Sequence, residues 1–243
     1  MIPAAGEGLR ARPHTTLLPK AMLEVGGRPI LQNTIELVRD QLSITKFIII
    51  SGHLRDKIQK YFGTGDNLGV SIRYIENDSI EKGLAWSIYL ARTYLKNQFL
   101  VILGDEYYRN SNHSILSSAS FENCLAMCGV IKSEDVKQIQ QNYTIDAHGE
   151  QIQRIYEKPK VITNNIMGTG TFVLSEDIFS HIAYEYRQAP QYIDFMHLLD
   201  KLCRKGHVIK KVLLSGDYVN INDVASLERA NRLLNTNNRE MRR

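Results

Sequence analysis

Between residues 4 and 20 the chain reads Ala4-Ala5-Gly6-Glu7-Gly8-Leu9-Arg10, then Pro13, Thr15 and Pro19-Lys20. Small residues followed by two spaced cations suit the binding of a polyphosphate. Ala4, Ala5, Gly6 and Gly8 put no bulky side chain between backbone N–H groups and phosphate oxygens, and Arg10 and Lys20 bring positive charge. Two better-known phosphate loops do not fit. A Walker A loop needs Gly-x-x-x-x-Gly-Lys-Ser/Thr; a dinucleotide fingerprint needs Gly-x-Gly-x-x-Gly opening into a helix, whereas residue 11 is Ala and Pro13 follows. A lone Gly-x-Gly is also what an ordinary turn looks like, so the spaced Arg10, Thr15, Pro19 and Lys20 carry the reading.

The segment GEGLRARPHTTLLPK resembles the signature of the sugar-1-phosphate nucleotidylyltransferases, G-x-G-T-R-x-x-P-x-T-x-x-x-P-K, with Leu9 where that family usually has Thr. Further matches follow in the family's order: GLAWS at 83–87, VILGD at 101–105, YEKP at 156–159, GTGTF at 168–172 and YVNINDVASLERAN at 218–231. The resemblance covers nearly the whole chain. It implies the nucleotide-diphospho-sugar transferase fold: an α/β, doubly wound, mostly parallel Rossmann-like sheet with a smaller β-rich lid for the sugar. It also implies the reaction of a nucleoside triphosphate with a sugar 1-phosphate to give a nucleotide sugar and pyrophosphate, helped by Mg²⁺.

That reaction needs one phosphate oxygen to attack the α-phosphate in line while pyrophosphate leaves, so positioning and charge neutralisation supply most of the catalysis. No covalent nucleophile is required, and no Ser-His-Asp or Cys-His arrangement stands out. By resemblance Arg10 neutralises the leaving phosphates and Lys20 sits on the α-phosphate and the attacking phosphate. Mg²⁺ prefers oxygen ligands and keeps several waters. Asp105, after four apolar strand residues and Gly104, is the first candidate ligand. The family's second ligand is commonly an Asp at the position held here by Asn220; an amide oxygen brings less charge, and Asp223 is either its substitute or the cap of a helix over 224–234.

Glu157 and Lys158 match the family's E-K-P, implying contacts to sugar hydroxyls and sugar phosphate; a surface ion pair is the plainer reading. Gly170 and Thr171 align with a segment that accommodates the sugar ring. Glu76 and the stretch Gly83, Leu84 and Ala85 are the candidates for base recognition. A carboxylate only accepts hydrogen bonds, which suits guanine or a pyrimidine N3–H and suits cytosine poorly, so guanine, uracil and thymine stay open. Trp86 fits either the site or packing, and His53 is expected to be structural.

The chain has 243 residues, 43% hydrophobic and 23% charged, with a formal charge of +4. That length suits one large α/β domain, expected at 1–235, with a flexible basic tail at 236–243. The modest charge with scattered basic residues argues against a nucleic-acid surface. No apolar run is long enough to span a bilayer and no signal-like start is present, which makes a cytoplasmic location the default expectation. Cys124, Cys128 and Cys203 show no disulfide or zinc spacing and read as free thiols. Homo-oligomerisation is allowed.

Apolar runs at 47–51, 70–75, 100–103 and 125–131 predict buried strands, and 142–145, 153–156 and 171–174 shorter ones. Helical periodicity predicts helices from Pro29 to Leu42, from Leu84 to Leu95 and from Phe195 to Leu202. Only Met1, Ile2 and Pro3 precede Ala4, so a shortened first strand is expected. Two rival functions keep the same motifs: a cytidylyltransferase acting on phosphocholine, and a catalytically silent nucleotide-sugar sensor.

Overall fold

The computed structural model describes residues 1–240. The chain begins with β1 (Ile2–Ala4), three short 3-10 turns at 9–11, 14–16 and 20–22, and a small hairpin of β2 (Glu24–Val25) and β3 (Arg28–Pro29). Helix α1 (Ile30–Leu42) follows, then β4 (Lys46–Ser51), α2 (Arg55–Phe62), β5 (Ser71–Glu76), α3 (Leu84–Leu90), β6 (Gln98–Ile102) and β7 (Glu106–Arg109). The remaining elements are α4 (Ile115–Ser118), β8 (Ala126–Lys132), α5 (Val136–Gln141), β9 (Tyr143–His148), β10 (Gln151–Glu157), β11 (Ile166–Ser175), α6 (Ile178–Gln188), α7 (Phe195–Arg204), β12 (Ile209–Leu213), β13 (Asp217–Asn220) and α8 (Val224–Glu240). Of the tail expected at 236–243, residues 236–240 continue α8 and 241–243 lie outside the described residues.

The chain divides into two compact units. The first holds residues 2–78, 102–113 and the described residues from Gly216 onward. Its three-stranded sheet, in the order β1-β4-β5, is wholly parallel. Such strands are buried on both faces, which is why Ile49 and Ile50 are fully buried in the Phe47-Ile48-Ile49-Ile50 run. A separate ribbon pairs β7 with β13 antiparallel. Its Tyr107 and Val219 join Ala11, Leu23, Val25, Ile30, Ile221 and Ala230 in a buried apolar cluster. Helix α1 starts at Ile30, as Pro29 predicts, and buries Ile30, Leu31, Thr34, Ile35 and Val38, the stripe of a 3.6-residue period.

The second unit holds Met1, residues 79–101 and residues 114–215. Its six-stranded sheet runs β6-β11-β8-β12-β10-β9 and is mixed: β12 lies parallel to β8, whereas β11 pairs with β8, and β10 with β12 and β9, antiparallel. The β9–β10 hairpin turns at Gly149, whose φ of 58° a glycine adopts without Cβ strain. Helix α7 buries Phe195, Met196, Leu198, Leu199 and Leu202, and Phe195 meets Phe172 of β11 edge to face at 5.6 Å. The helix predicted over 84–95 closes at Leu90 instead. There the backbone bonds shorten to three residues, Ala91 N to Ile88 O and Arg92 N to Tyr89 O, both 3.2 Å. Among the described residues no helix is long and apolar enough to cross a membrane.

Candidate active site

In the first unit, parallel register lines up Ala4, Ser51 and Glu76 at the carboxyl ends of β1, β4 and β5. Ligands of open α/β sheets bind beyond this edge. The glycine loop leaves it directly after Ala4. Gly8 has φ 64°, and a Cβ there would come within 3.0 Å of both Lys20 Cβ and Thr15 Cγ2. The buried Thr15 donates its hydroxyl to Gly8 O at 2.8 Å, which ties the loop down. Thr15 thus has a definite structural task that the motif alone does not disclose.

Gly104 explains how the second motif reaches the loop. Its N–H donates to Pro3 O at 3.1 Å, and a Cβ would stand 3.0 Å from that oxygen and 3.2 Å from Ala4 Cβ. The missing side chain lets the chain before Asp105 lie against β1. Gly52, which no motif marks in the sequence, does the same on the other side: a Cβ there would lie 2.9 Å from Ala5 O and 3.0 Å from Asn77 O. His53 follows it and donates its backbone N–H to Ala5 O at 3.4 Å.

The polar groups converge on one ammonium. Lys20 Nζ donates to Asp105 Oδ2 at 2.6 Å and to Asn222 Oδ1 at 3.1 Å, and Arg10 donates to the same Asn222 oxygen at 3.0 Å. Lys20 keeps 13% and Asp105 30% side-chain exposure, so the pair is partly withdrawn from water yet reachable. Ile221 N donates to Asp105 O at 2.9 Å, fixing the segment after β13 beside Asp105. The carboxamide that meets Lys20 is therefore that of Asn222; Asn220, the expected ligand, lies in β13 opposite Glu106. Asp223 takes the cap alternative. Its Oδ1 accepts from Ser226 N at 2.8 Å, and the bonds from Ser226 hold its carboxyl below the ordinary value, burial opposing.

Two oxygens of different residues, a carboxylate and an amide, thus face one point now held by a cation. That donor set fits Mg²⁺, which takes one or two protein oxygens and completes its shell with phosphates and water. No group of three or more His, Cys, Asp or Glu side chains at metal-ligand spacing exists among the described residues, so such an ion would depend on phosphate oxygens as well.

Glu76, expected to accept from a base, is ion-paired with Arg55 at the start of α2. Asp78 stands 3.8 Å from the same guanidinium. No motif marks Arg55 in the sequence, although an Arg one helical turn past a strand end is the kind of residue that reaches back over it.

In the second unit, Gly83 has φ 85° and caps α3; a Cβ there would lie 2.7 Å from Tyr192 Cε2 and 3.0 Å from Ile193 O. Leu84 and Ala85 form the first turn of α3, with Ala85 fully buried. Trp86 packs edge to face on Tyr186 at 5.1 Å, with Lys82 Nζ 4.3 Å over its ring. Glu157 ends β10, and Lys158 Nζ lies 3.3 Å from its Oε1. Burial, then Asp194, push the Glu157 carboxyl above its ordinary value, against the pull of Lys158. Lys158 has φ 45°, an uncommon conformation for a residue with a Cβ, and its N–H donates to Asn142 O at 2.7 Å. Both line a cavity of about 600 Å³ together with Arg154, Tyr156 and His197. Gly170 and Thr171 are buried in β11 where its register with β8 slips between Gly168 and Phe172.

The bifunctional protein GlmU of Methanococcus maripaludis is 29% identical over 208 residues, which are 85% of this chain and 47% of that protein. The chain thus spans about half the length of the first curated relatives it matches. The UTP–glucose-1-phosphate uridylyltransferase AglF of Haloferax volcanii is 27% identical over 88% of this chain and 86% of its own length. In backbone the chain is similar to a UDP-glucose pyrophosphorylase solved with UDP-glucose, at a TM-score of 0.82 and 20% identity, covering 97% of each chain. That likeness fixes the fold. The family model described as nucleotidyl transferase matches residues 1–237, and the chain belongs to that family.

Proposed function

We propose that this chain is a Mg²⁺-dependent sugar-1-phosphate nucleotidylyltransferase, with residues 1–235 acting as the nucleotidyltransferase domain. The observation that carries the reading is Lys20, held between Asp105 and Asn222 and joined there by Arg10, next to a glycine loop at the carboxyl end of a parallel sheet. An oxygen of the sugar 1-phosphate forms a bond to the α-phosphorus, the bond to the bridging oxygen breaks, and pyrophosphate carries the electron pair away. Loop N–H groups after Ala4 bind the triphosphate. Lys20 neutralises the α-phosphate and the attacking phosphate, and Arg10 the leaving phosphates. Such fixed cations act where charge develops and need not reorganise during the reaction. Asp105 and Asn222 would hold the metal, which when bound polarises the phosphoryl oxygens and orients the leaving group.

Glu157 and Lys158 are assigned to the acceptor's hydroxyls and phosphate, with Gly170 and Thr171 beside the ring. Glu76, paired with Arg55, and the 83–85 turn are assigned to the base. The pairing alters what this position can read: a guanidinium donates and a carboxylate accepts, so together they suit a base edge that offers both a carbonyl and an N–H.

The test is pyrophosphate release with Mg²⁺, crossing the five common triphosphates with a panel of sugar 1-phosphates and phosphocholine. The expected result is turnover with one triphosphate and a sugar phosphate, falling by about 10²-fold or more in Asp105→Ala. Turnover with phosphocholine alone would replace the acceptor class, and silence across the panel with a triphosphate still bound would overturn the enzyme reading in favour of a sensor.

A further inference from the structure

Glu106 directly follows Asp105 and is only 1% exposed. Both of its carboxylate oxygens are taken by phenol hydroxyls: Tyr108 donates to Oε2 at 2.6 Å and Tyr218 to Oε1 at 2.5 Å. Tyr108 lies on the same strand, β7, and Tyr218 stands opposite it on β13. The two rings contact each other with centroids 5.2 Å apart. One carboxylate therefore bolts β7 to β13.

The two oxygens that hold Lys20 flank these two strands. Asp105 immediately precedes β7, Asn222 follows β13 by two residues, and Ile221 N closes the gap onto Asp105 O. The ribbon has only two strands of four residues each. A ribbon that short gains little rigidity from its own ladder. Leu at 106 between two phenylalanines would fill similar space without the cost of a buried carboxylate, so packing alone does not call for this chemistry. What the hydrogen bonds add is direction: each fixes a hydroxyl to one oxygen, and the strand offset with it.

We propose that Glu106 is a positioning residue, clamped by Tyr108 and Tyr218 so that Asp105 and Asn222 stand at the separation that receives Lys20 and the cation of the bound triphosphate. The inference rests on the nucleotidyl-transfer reading for the identity of that cation. Residues behind a metal ligand set its orientation, and changing them costs about 10- to 100-fold in metal affinity.

The experiment is Mn²⁺ binding to the full chain, followed by the electron paramagnetic resonance of free Mn²⁺, with a non-hydrolysable α,β-methylene triphosphate present. Triphosphate binding without metal and thermal melting are recorded alongside. Tyr218→Phe and Glu106→Leu are expected to weaken Mn²⁺ binding by about tenfold or more, leaving metal-free triphosphate binding intact. Glu106→Gln keeps an acceptor oxygen for one tyrosine and offers N–H to the other, whose hydroxyl can accept, so it is expected to retain Mn²⁺ binding within about threefold. If Glu106→Leu fails to fold, Tyr218→Phe decides. Wild-type Mn²⁺ affinity in folded Tyr218→Phe, equal loss in the Gln and Leu variants, or no Mn²⁺ binding by the wild type would each overturn the proposal. Wild-type protein that binds Mn²⁺ with nucleotide but releases no pyrophosphate would sink the enzyme reading alone, since the ratio of Mn²⁺ affinities still reports on the clamp.

Discussion

Asn222 and Asn220 differ by two positions and share a side chain, yet only Asn222 presents its oxygen to both Lys20 and Arg10. Asn222→Ala is expected to lower Mg²⁺-dependent turnover by about 10-fold or more, and Asn220→Ala by less, when both are assayed for pyrophosphate release over a Mg²⁺ titration. Equal losses would return the ligand role to Asn220. Asp105, Lys20 and Arg10 were legible in the sequence because a glycine, a strand end and two spaced cations constrain where their side chains can go. Asn222 was not legible. The chain leaves β13 after Asn220, and the bonds of Ile221 N to Asp105 O and of Asn222 N to Ser226 Oγ then set the direction of the next side chain. Asp105 lies far off in sequence, and Ser226, four residues on, is not announced by its type. Arg55 escaped for a similar reason: it is one cation among 30 Lys and Arg until the fold sets it on Glu76.

At the scale of elements, β11 shows how a strand can leave its ladder without stranding polar groups. Gly168 opens its irregular stretch, and a Cβ there would lie 2.0 Å from Tyr143 Cζ, because the Tyr143 ring covers the glycine. The ring is itself fixed, with its hydroxyl donating to Gly129 O at 3.3 Å and its face near Phe172. Thr169 Oγ1 also donates to Gly129 O, at 3.0 Å, and accepts from Thr171 N at 3.3 Å, so the departure from the ladder keeps its polar groups occupied. Gly168→Ala is expected to destabilise by about 1–3 kcal/mol, since a fixed ring must move to admit a methyl group. Urea unfolding would measure this, and a change under about 0.5 kcal/mol would mean that the ring yields freely. The strand itself was readable from its apolar residues, but only 171–174 of the observed 166–175 was predicted. Gly-Thr-Gly-Thr lacks the large apolar residues that mark a buried strand; Tyr143, from another strand, supplies the bulk that Gly168 lacks.

At the scale of the whole molecule, folding couples to pH through a buried histidine packed on Tyr108. His113 is fully buried, Ser111 Oγ lies 2.7 Å from its Nδ1, and Tyr108 meets it edge on at 4.5 Å. Burial pushes its pKa down from 6.5 to about 4. The folded protein therefore refuses a proton that the unfolded chain accepts below pH 6.5. The neutral form's contribution to stability is intact above 6.5 and declines as pH falls toward about 4, by about 1.4 kcal/mol per pH unit for one proton. Urea melts at pH 7, 6, 5 and 4 should show that slope in the wild type and a shallower one in His113→Gln. Matching slopes would mean that His113 does not carry the effect. The sequence by itself determined the α/β class, the glycine loop with its two cations, Asp105 at a strand end and the family the chain belongs to. Those features rest on local rules: apolar period, glycine freedom and the spacing of charges along one loop. The tertiary structure alone decided that Asn222 meets Lys20, that Arg55 takes Glu76 and that Tyr218 joins Tyr108 on Glu106. Each of these joins a polar group to a partner that only folding brings within about 3 Å, and hydrogen bonds act only at that distance.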